Sequence, residues 1–159
     1  PTETTFGLGC DAFNLKALQR LSEIKQRSDD KGFIVLINNL QQLELLTAKI
    51  PKINMQMAID KWPGPYTFVF PSRTTLPKLL TGAFGSIAIR MSSNIVASNL
   101  CKNMPITSTS ANISGQPVVT NINEVEKIFG TQIDGVIDIK PGNLKPSQII
   151  DILSNQHYR

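Results

Sequence analysis

The sequence predicts an α/β protein built on one open, twisted mixed sheet flanked by helices. Three observations predict it. Apolar, β-branched runs read as strands, segments of helical period lie between them, and the two kinds interleave without the strict repeat of an all-parallel fold. At 159 residues, 41% hydrophobic and 18% charged, the chain has the length and composition of one globular domain over positions 1–159.

The elements follow in order. Asn14 is placed to cap a helix whose apolar positions are Leu15, Leu18, Leu21 and Ile24, and Lys25-Gln26-Arg27 ends it. After Ser28-Asp29-Asp30-Lys31-Gly32, the unbroken run 33–37 is a buried strand. Residues 40–50 have helical periodicity stopped by Pro51, and a further helix runs over 53–61. Trp62-Pro63-Gly64-Pro65 excludes helix interior and sets a rigid turn. Strands are expected at 66–70 and 87–90, a helix at 94–102 and a short strand at 105–108. Asn123 caps a helix through Phe129, which Gly130 terminates, and strands at 136–139 and 148–152 close the list.

Composition removes several functions. No apolar run approaches the ~18 residues of a membrane span, and no signal-peptide pattern opens the chain. Cys10 and Cys101 are far apart without metal-ligand spacing, so two reduced thiols in the cytoplasm are the expectation. With His157 the single histidine, histidine triads and His/Cys zinc sites have no support, and no metal ligands are assigned. The excess of 16 Lys plus Arg over 12 Asp plus Glu suits an anionic ligand such as a nucleotide or RNA.

The densest polar stretch is Thr107-Ser108-Thr109-Ser110-Ala111-Asn112-Ile113-Ser114-Gly115-Gln116-Pro117. Its hydroxyls and amide either bond their own turn or face a ligand. Pro1-Thr2-Glu3-Thr4-Thr5-Phe6-Gly7-Leu8-Gly9 pairs hydroxyls with glycines but lacks a P-loop ending, and reads equally as an ordinary strand-to-helix connection. Lys25 and Arg27 either answer the dipole of their helix or, where the end unwinds, converge on one polyphosphate. Arg90 at a strand end suits a carboxylate or solvent. No acid/base pair or serine nucleophile is evident, so an enzyme built from these residues works by positioning and charge stabilisation.

In register, these pieces resemble the YrdC family of threonylcarbamoyl-AMP synthases. The matching elements are Pro1-Thr2-Glu3-Thr4-Thr5-Phe6-Gly7-Leu8-Gly9, Lys25-x-Arg27, Trp62-Pro63-Gly64-Pro65-x-Thr67, Ala88-x-Arg90, Ser108-Thr109-Ser110-Ala111-Asn112-x-Ser114-Gly115 and Pro146-Ser147-x-Ile149-x-Asp151. The likeness spans essentially the whole chain and is to the short bacterial form. It implies that a helix and a strand are missing before Pro1. Ser28, Leu36 and Phe6 depart from the family's commoner Pro, long-form His and Tyr.

The resemblance implies a YrdC-like sheet with a concave, positively charged ligand face. It implies a cytoplasmic enzyme that combines L-threonine, bicarbonate and ATP into threonylcarbamoyl-AMP and pyrophosphate, with Mg²⁺ held mainly by the phosphates. Lys25, Arg27, Lys31, Ser86, Ser110, Asn112 and Val118 would bind ATP; Thr4, Arg90, Ser108 and Ser147 would surround threonine. Partners would be tRNA or other RNA and downstream threonylcarbamoyl-transfer proteins, with no membrane. Two other readings are open to the sequence. One is an RNA-binding maturation factor without catalysis, although aromatics for base stacking are only 6%. The other is a related carbamoyl-adenylate chemistry, as in YrdC-like domains of hydrogenase-maturation proteins.

Overall fold

A computed structural model describes residues 1–142 and 145–158. In chain order the elements are β1 (Gly7–Leu8), α1 (Leu15–Lys25), β2 (Ile34–Ile37), α2 (Leu43–Leu46), α3 (Lys52–Lys61), β3 (Tyr66–Pro71), α4 (Lys78–Thr81), β4 (Ser86–Met91), α5 (Ile95–Leu100), β5 (Ile106–Ser110), α6 (Ile122–Phe129) and β6 (Gln148–Asp151). The strands form a six-stranded sheet in the order β1-β5-β2-β4-β3-β6. The β2–β4 and β3–β6 pairs are parallel and the others antiparallel, so the mixed sheet anticipated from the interleaved pattern is present.

The register divides each strand between two faces, because successive side chains alternate. Ser108, Ile34, Ala88, Val69 and Asp151 lie in one row across the sheet. Two residues along, Leu36, Arg90, Thr67 and Ile149 form a second row on the same face. The opposite face carries Val35, Ile37, Phe68, Phe70, Ile87, Ile89 and Ile150, all 1% exposed or less. On these pack Leu18 and Leu21 of α1, Leu43 and Leu46 of α2, Ala58 of α3, Leu80 of α4, and Val125 and Phe129 of α6. Full burial of each large side chain stabilises by about 1.5–3 kcal/mol, so this face is the molecule's anchor. Trp62 joins it through edge-on packing against Phe68, with ring centroids 5.4 Å apart. On the other face, Ala97 of α5 and Cys101 just after it cover one end, against Leu36 and Ile106. The rest of that face stays open.

Several boundaries move. The helix expected over 40–50 is a 3-10 turn at Leu40–Gln42 followed by the short α2, because Thr47 turns extended and bridges Ser72. Ala48 N–H also bonds Pro71 O at 2.9 Å, so pairing with the sheet overrides helical period. Asn121, not Asn123, caps α6: its side chain accepts the Glu124 N–H at 3.0 Å. Gly130 continues in right-handed geometry into a 3-10 turn instead of stopping the helix sharply. Residues 136–139 form no strand; Val136, Ile137 and Ile139 are 38–50% exposed and pair with no strand among the described residues. β5 runs on to Ser110, past the expected limit of 108, because Thr109 and Ser110 pair with Leu8 and Gly7. The first four of the eleven residues of the polar stretch are therefore strand. A short helix, α4, which the sequence did not signal, completes the chain's path into β4.

Candidate functional site

The open sheet face holds a cavity of about 860 Å³, in the range of small-molecule sites. Its floor is the polar alternation of the strands: Ser86, Ala88 and Arg90 of β4, Ile34 and Leu36 of β2, Ser108 and Ser110 of β5, and Ile149 and Asp151 of β6. The walls are Thr2, Thr4 and Thr5 on one side and Arg27, Lys31, Gly32 and Phe33 on another, with Phe84, Val118 and Tyr158 adding apolar surface.

All the residues singled out from sequence line this cavity except Lys25 and Asn112. Lys25 closes α1 with its side chain 1% exposed. Gln26 then takes a left-handed conformation (φ 47°), and the N–H groups of Gln26 and Arg27 bond the carbonyls of Glu23 and Ser22. That reversal sends the two cations different ways, so they do not converge. Lys25 Nζ donates to Ser110 O, to Asn112 O and, at 2.8 Å, to Asn112 Oδ1. Ser110 Oγ donates to the same Oδ1 at 2.6 Å, Asn112 Nδ2 donates to Gln116 O at 2.6 Å, and Ser114 N–H bonds Lys25 O at 2.9 Å. Lys25 and Asn112 thus stitch the turn after β5 to the end of α1 from behind. Burial, and secondarily the neighbouring Arg27, lowers the Lys25 pKa to about 8.

Arg27 faces the cavity. Its Nε donates to Gly32 O at 3.1 Å, and its guanidinium lies over the Phe33 ring at 5.4 Å. These contacts aim the group without engaging a carboxylate. Gly32 and Gly82 make this wall possible, both at positive φ (56° and 67°); a Cβ on either would meet the other's segment, at Leu80 O and at Asp30 O.

Arg90 is 5% exposed and lines the floor. Its Nε donates to Gly64 O at 3.1 Å and its Nη2 donates to Glu3 Oε2. Ser147 is buried with its hydroxyl 2.9 Å from that of Thr67. Thr4 belongs to a hydroxyl turn, its Oγ1 3.0 Å from Thr2 Oγ1. Asp151, the one carboxylate in the lining, accepts the N–H groups of Leu153 and Ser154 at 2.9 and 2.8 Å. Burial raises its pKa and these bonds lower it, with a net depression.

Sequence reasoning missed Glu3 as a partner of Arg90, the apolar contributors Phe84 and Tyr158, and Thr2 and Thr5. Phe84 is 82% exposed between Gly82 and Gly85; an aromatic in a glycine-bounded turn was the available signal. Glu3 carried no local signal, since its partners lie almost ninety positions away.

A hydroxyl-rich sheet floor with three cations (Arg27, Lys31, Arg90) and one satisfied carboxylate defines an α/β protein equipped for a small anionic ligand. Comparison with known proteins shows its family. The sequence model of the Sua5/YciO/YrdC family, described as telomere recombination, matches residues 1–159, and the chain belongs to that family. Threonylcarbamoyl-AMP synthase of Escherichia coli K12 is 39% identical over 163 aligned positions, covering 100% of this chain and 86% of the relative. The synthase of Cellvibrio japonicus is 40% identical over 162 positions with the same coverage. The crystal structure of P. abyssi Sua5 complexed with L-threonine superposes with a TM-score of 0.88 at 36% identity, covering 95% of this chain. The chain spans 45% of that longer protein.

Proposed function

We infer that this chain synthesises threonylcarbamoyl-AMP from L-threonine, bicarbonate and ATP with release of pyrophosphate, as an ATP-using nucleotidyltransferase. The observation that carries the reading is the cavity: it gathers Thr4, Arg27, Arg90, Ser108, Ser110 and Ser147 from motifs scattered over the chain. Full-length identity to named synthases supports the same activity.

The chemistry asks for alignment more than for a protein nucleophile. The threonine amine adds to the bicarbonate carbon, and loss of water leaves a carbamate. A carbamate oxygen then attacks the α-phosphorus of ATP; the new O–P bond forms as the bond to pyrophosphate breaks, and pyrophosphate leaves with that electron pair. In the proposed arrangement Arg27 and Lys31 hold the triphosphate, Arg27 as a planar fork and Lys31 as a point charge. Ser110 turns its hydroxyl to the nucleotide, Lys25 and Asn112 keep that turn in place, and Ser86 and Val118 border the nucleotide. Thr4, Ser108 and Ser147 surround threonine, with Arg90 as partner of its carboxylate. The polar side chains of the lining are cations and hydroxyls apart from Asp151, which is already bonded; this fits a triphosphate that brings its own Mg²⁺, which would shield phosphate charge. The product would serve threonylcarbamoyladenosine formation in tRNA, through downstream transfer proteins, in the cytoplasm. The positively charged ligand face expected from sequence rests on the same three cations. An RNA-binding role without catalysis gains nothing from a site of this shape.

The direct test is pyrophosphate release from ATP with threonine and bicarbonate supplied together or singly. Release is expected only with both, and release indifferent to threonine overturns the assignment.

A further inference from the structure

Glu3 is the group in this neighbourhood with no role so far. Its carboxylate is 8% exposed and fully engaged. Oε2 accepts from Arg90 Nη2 and from Ser92 Oγ at 2.7 Å; Oε1 accepts from Ser93 N–H at 2.7 Å and Ser93 Oγ at 3.0 Å. Burial alone would raise its pKa, but the Ser92 bond, a backbone bond and Arg90 outweigh that and hold it below the ordinary carboxylate value. The backbone is clamped as well: Gly142 N–H donates to Thr2 O at 2.9 Å, and a Cβ on Gly142 would strike the Glu3 main chain.

The consequence falls on Arg90. Its Nε is taken by Gly64 O and its Nη2 by Glu3, so one edge of the planar fork is fixed by two acceptors. Nη1 has no protein acceptor among the described residues, in a side chain that lines the cavity. A guanidinium held at one edge has lost the rotamer freedom that a flexible arginine gives up on binding, and its remaining donors are pre-aimed. Glu3 itself does not line the cavity.

We infer that Glu3 is a positioning residue for the amino-acid subsite, holding the Arg90 guanidinium in one plane against Gly64 O and acting on the substrate carboxylate only through Arg90. The inference rests on the carboxylate-binding role proposed for Arg90. Glu3→Gln keeps the shape but replaces an acceptor oxygen with an amide donor or removes the charge facing Arg90, so the fork is released.

The experiment measures steady-state pyrophosphate release by the wild-type chain, Glu3→Gln, Ser93→Ala, Arg90→Met and the Glu3→Gln/Arg90→Met double variant, varying threonine and ATP separately. Glu3→Gln is expected to raise the threonine KM about tenfold or more while the ATP KM stays within about twofold, a charged hydrogen bond being at stake. In the Arg90→Met background the same change is expected to add less than about twofold. Ser93→Ala, which leaves the ion pair in place, shifts the threonine KM the same way by a smaller factor and carries the test if thermal melts show Glu3→Gln unfolded. An unchanged threonine KM in Glu3→Gln and Ser93→Ala overturns the inference. So do equal changes in both KM values, or an undiminished Glu3→Gln effect without Arg90. If wild-type release ignores threonine, the synthase reading itself fails and takes this inference with it, a result distinct from an active wild type with indifferent variants.

Discussion

A buried ammonium group is stable only while its protons have acceptors, and Lys25 meets that condition with two carbonyls and an amide oxygen of one turn. In the proposed arrangement it acts on the nucleotide only through the loop that presents Ser110. Two consequences separate from each other as pH changes. The unfolded chain keeps the Lys25 proton up to its ordinary value of 10.5, whereas the folded chain releases it near 8. Between these values the unfolded state binds more protons, so raising pH across that window favours the fold as far as this group is concerned. The neutral amine, however, has two protons for three acceptors, so the turn loosens and nucleotide affinity falls over the same window. Lys25→Met is expected to cost about 2–4 kcal/mol near neutral pH through the three lost bonds. Urea unfolding of both proteins at about pH 7 and about pH 9.5 checks the sign: the wild-type advantage grows with pH. A constant or shrinking advantage would show that Lys25 keeps its proton throughout.

At the level of elements, the wall that carries Arg27 and Lys31 depends on two glycines facing each other. Gly32 (φ 56°, ψ −173°) and Gly82 (φ 67°, ψ −157°) occupy a backbone region open essentially to glycine, and each lies against the other's segment. Gly82→Ala adds conformational strain and a clash with Asp30 O, for an expected loss of about 2–4 kcal/mol. Because α4 and the 3-10 turn Asp29–Lys31 then shift together, nucleotide affinity should fall too. Chemical denaturation and nucleotide titration of one preparation test both, and a stable variant with normal affinity would mean that the two segments are not coupled. The same scale shows what the sequence could display. β2, β3 and β4 announced themselves by β-branched and aromatic runs, and α1 by its Asn14 cap, because those signals are local. Ser86-x-Ala88-x-Arg90 also states the period-2 split between core and cavity, and Ser108-x-Ser110 repeats it. What the sequence hid was decided across distance: Thr47 leaving its helix to pair with Ser72, Thr109 and Ser110 joining β1, and 136–139 finding no strand to pair with. Within the site, the cavity's membership was legible from motifs in register, whereas the burial of Lys25 and the Glu3–Arg90 pair depended on contacts 85 and 87 positions apart.

Over the whole molecule, one sheet divides the labour. Its apolar face, under α1, α2, α3, α4 and α6, fixes the strands, and the strands fix the cavity floor on the reverse side. The floor and walls come from both ends of the chain and from every strand, so a ligand bound there touches segments that only the native fold brings together. Binding to the folded state alone stabilises it by RT ln(1 + [L]/Kd), about 2.7 kcal/mol at a hundredfold excess over Kd. ATP with Mg²⁺ and threonine should therefore each raise the melting temperature. The two cation groups predict how variants divide that effect. If Arg27 holds the triphosphate as proposed, Arg27→Ala removes a charge-assisted contact worth about 1.5–3 kcal/mol, so the ATP-induced shift should shrink while the threonine-induced shift survives. Arg90→Ala should do the reverse, and it also leaves Glu3 as a buried, unpaired carboxylate, so its ligand-free melting temperature should drop as well. Thermal melts of the three proteins with each ligand alone decide the point. If Arg90→Ala abolishes the ATP shift and spares the threonine shift, the two pockets have been assigned the wrong way round. If neither ligand shifts the wild type, the cavity on the polar sheet face is not where they bind.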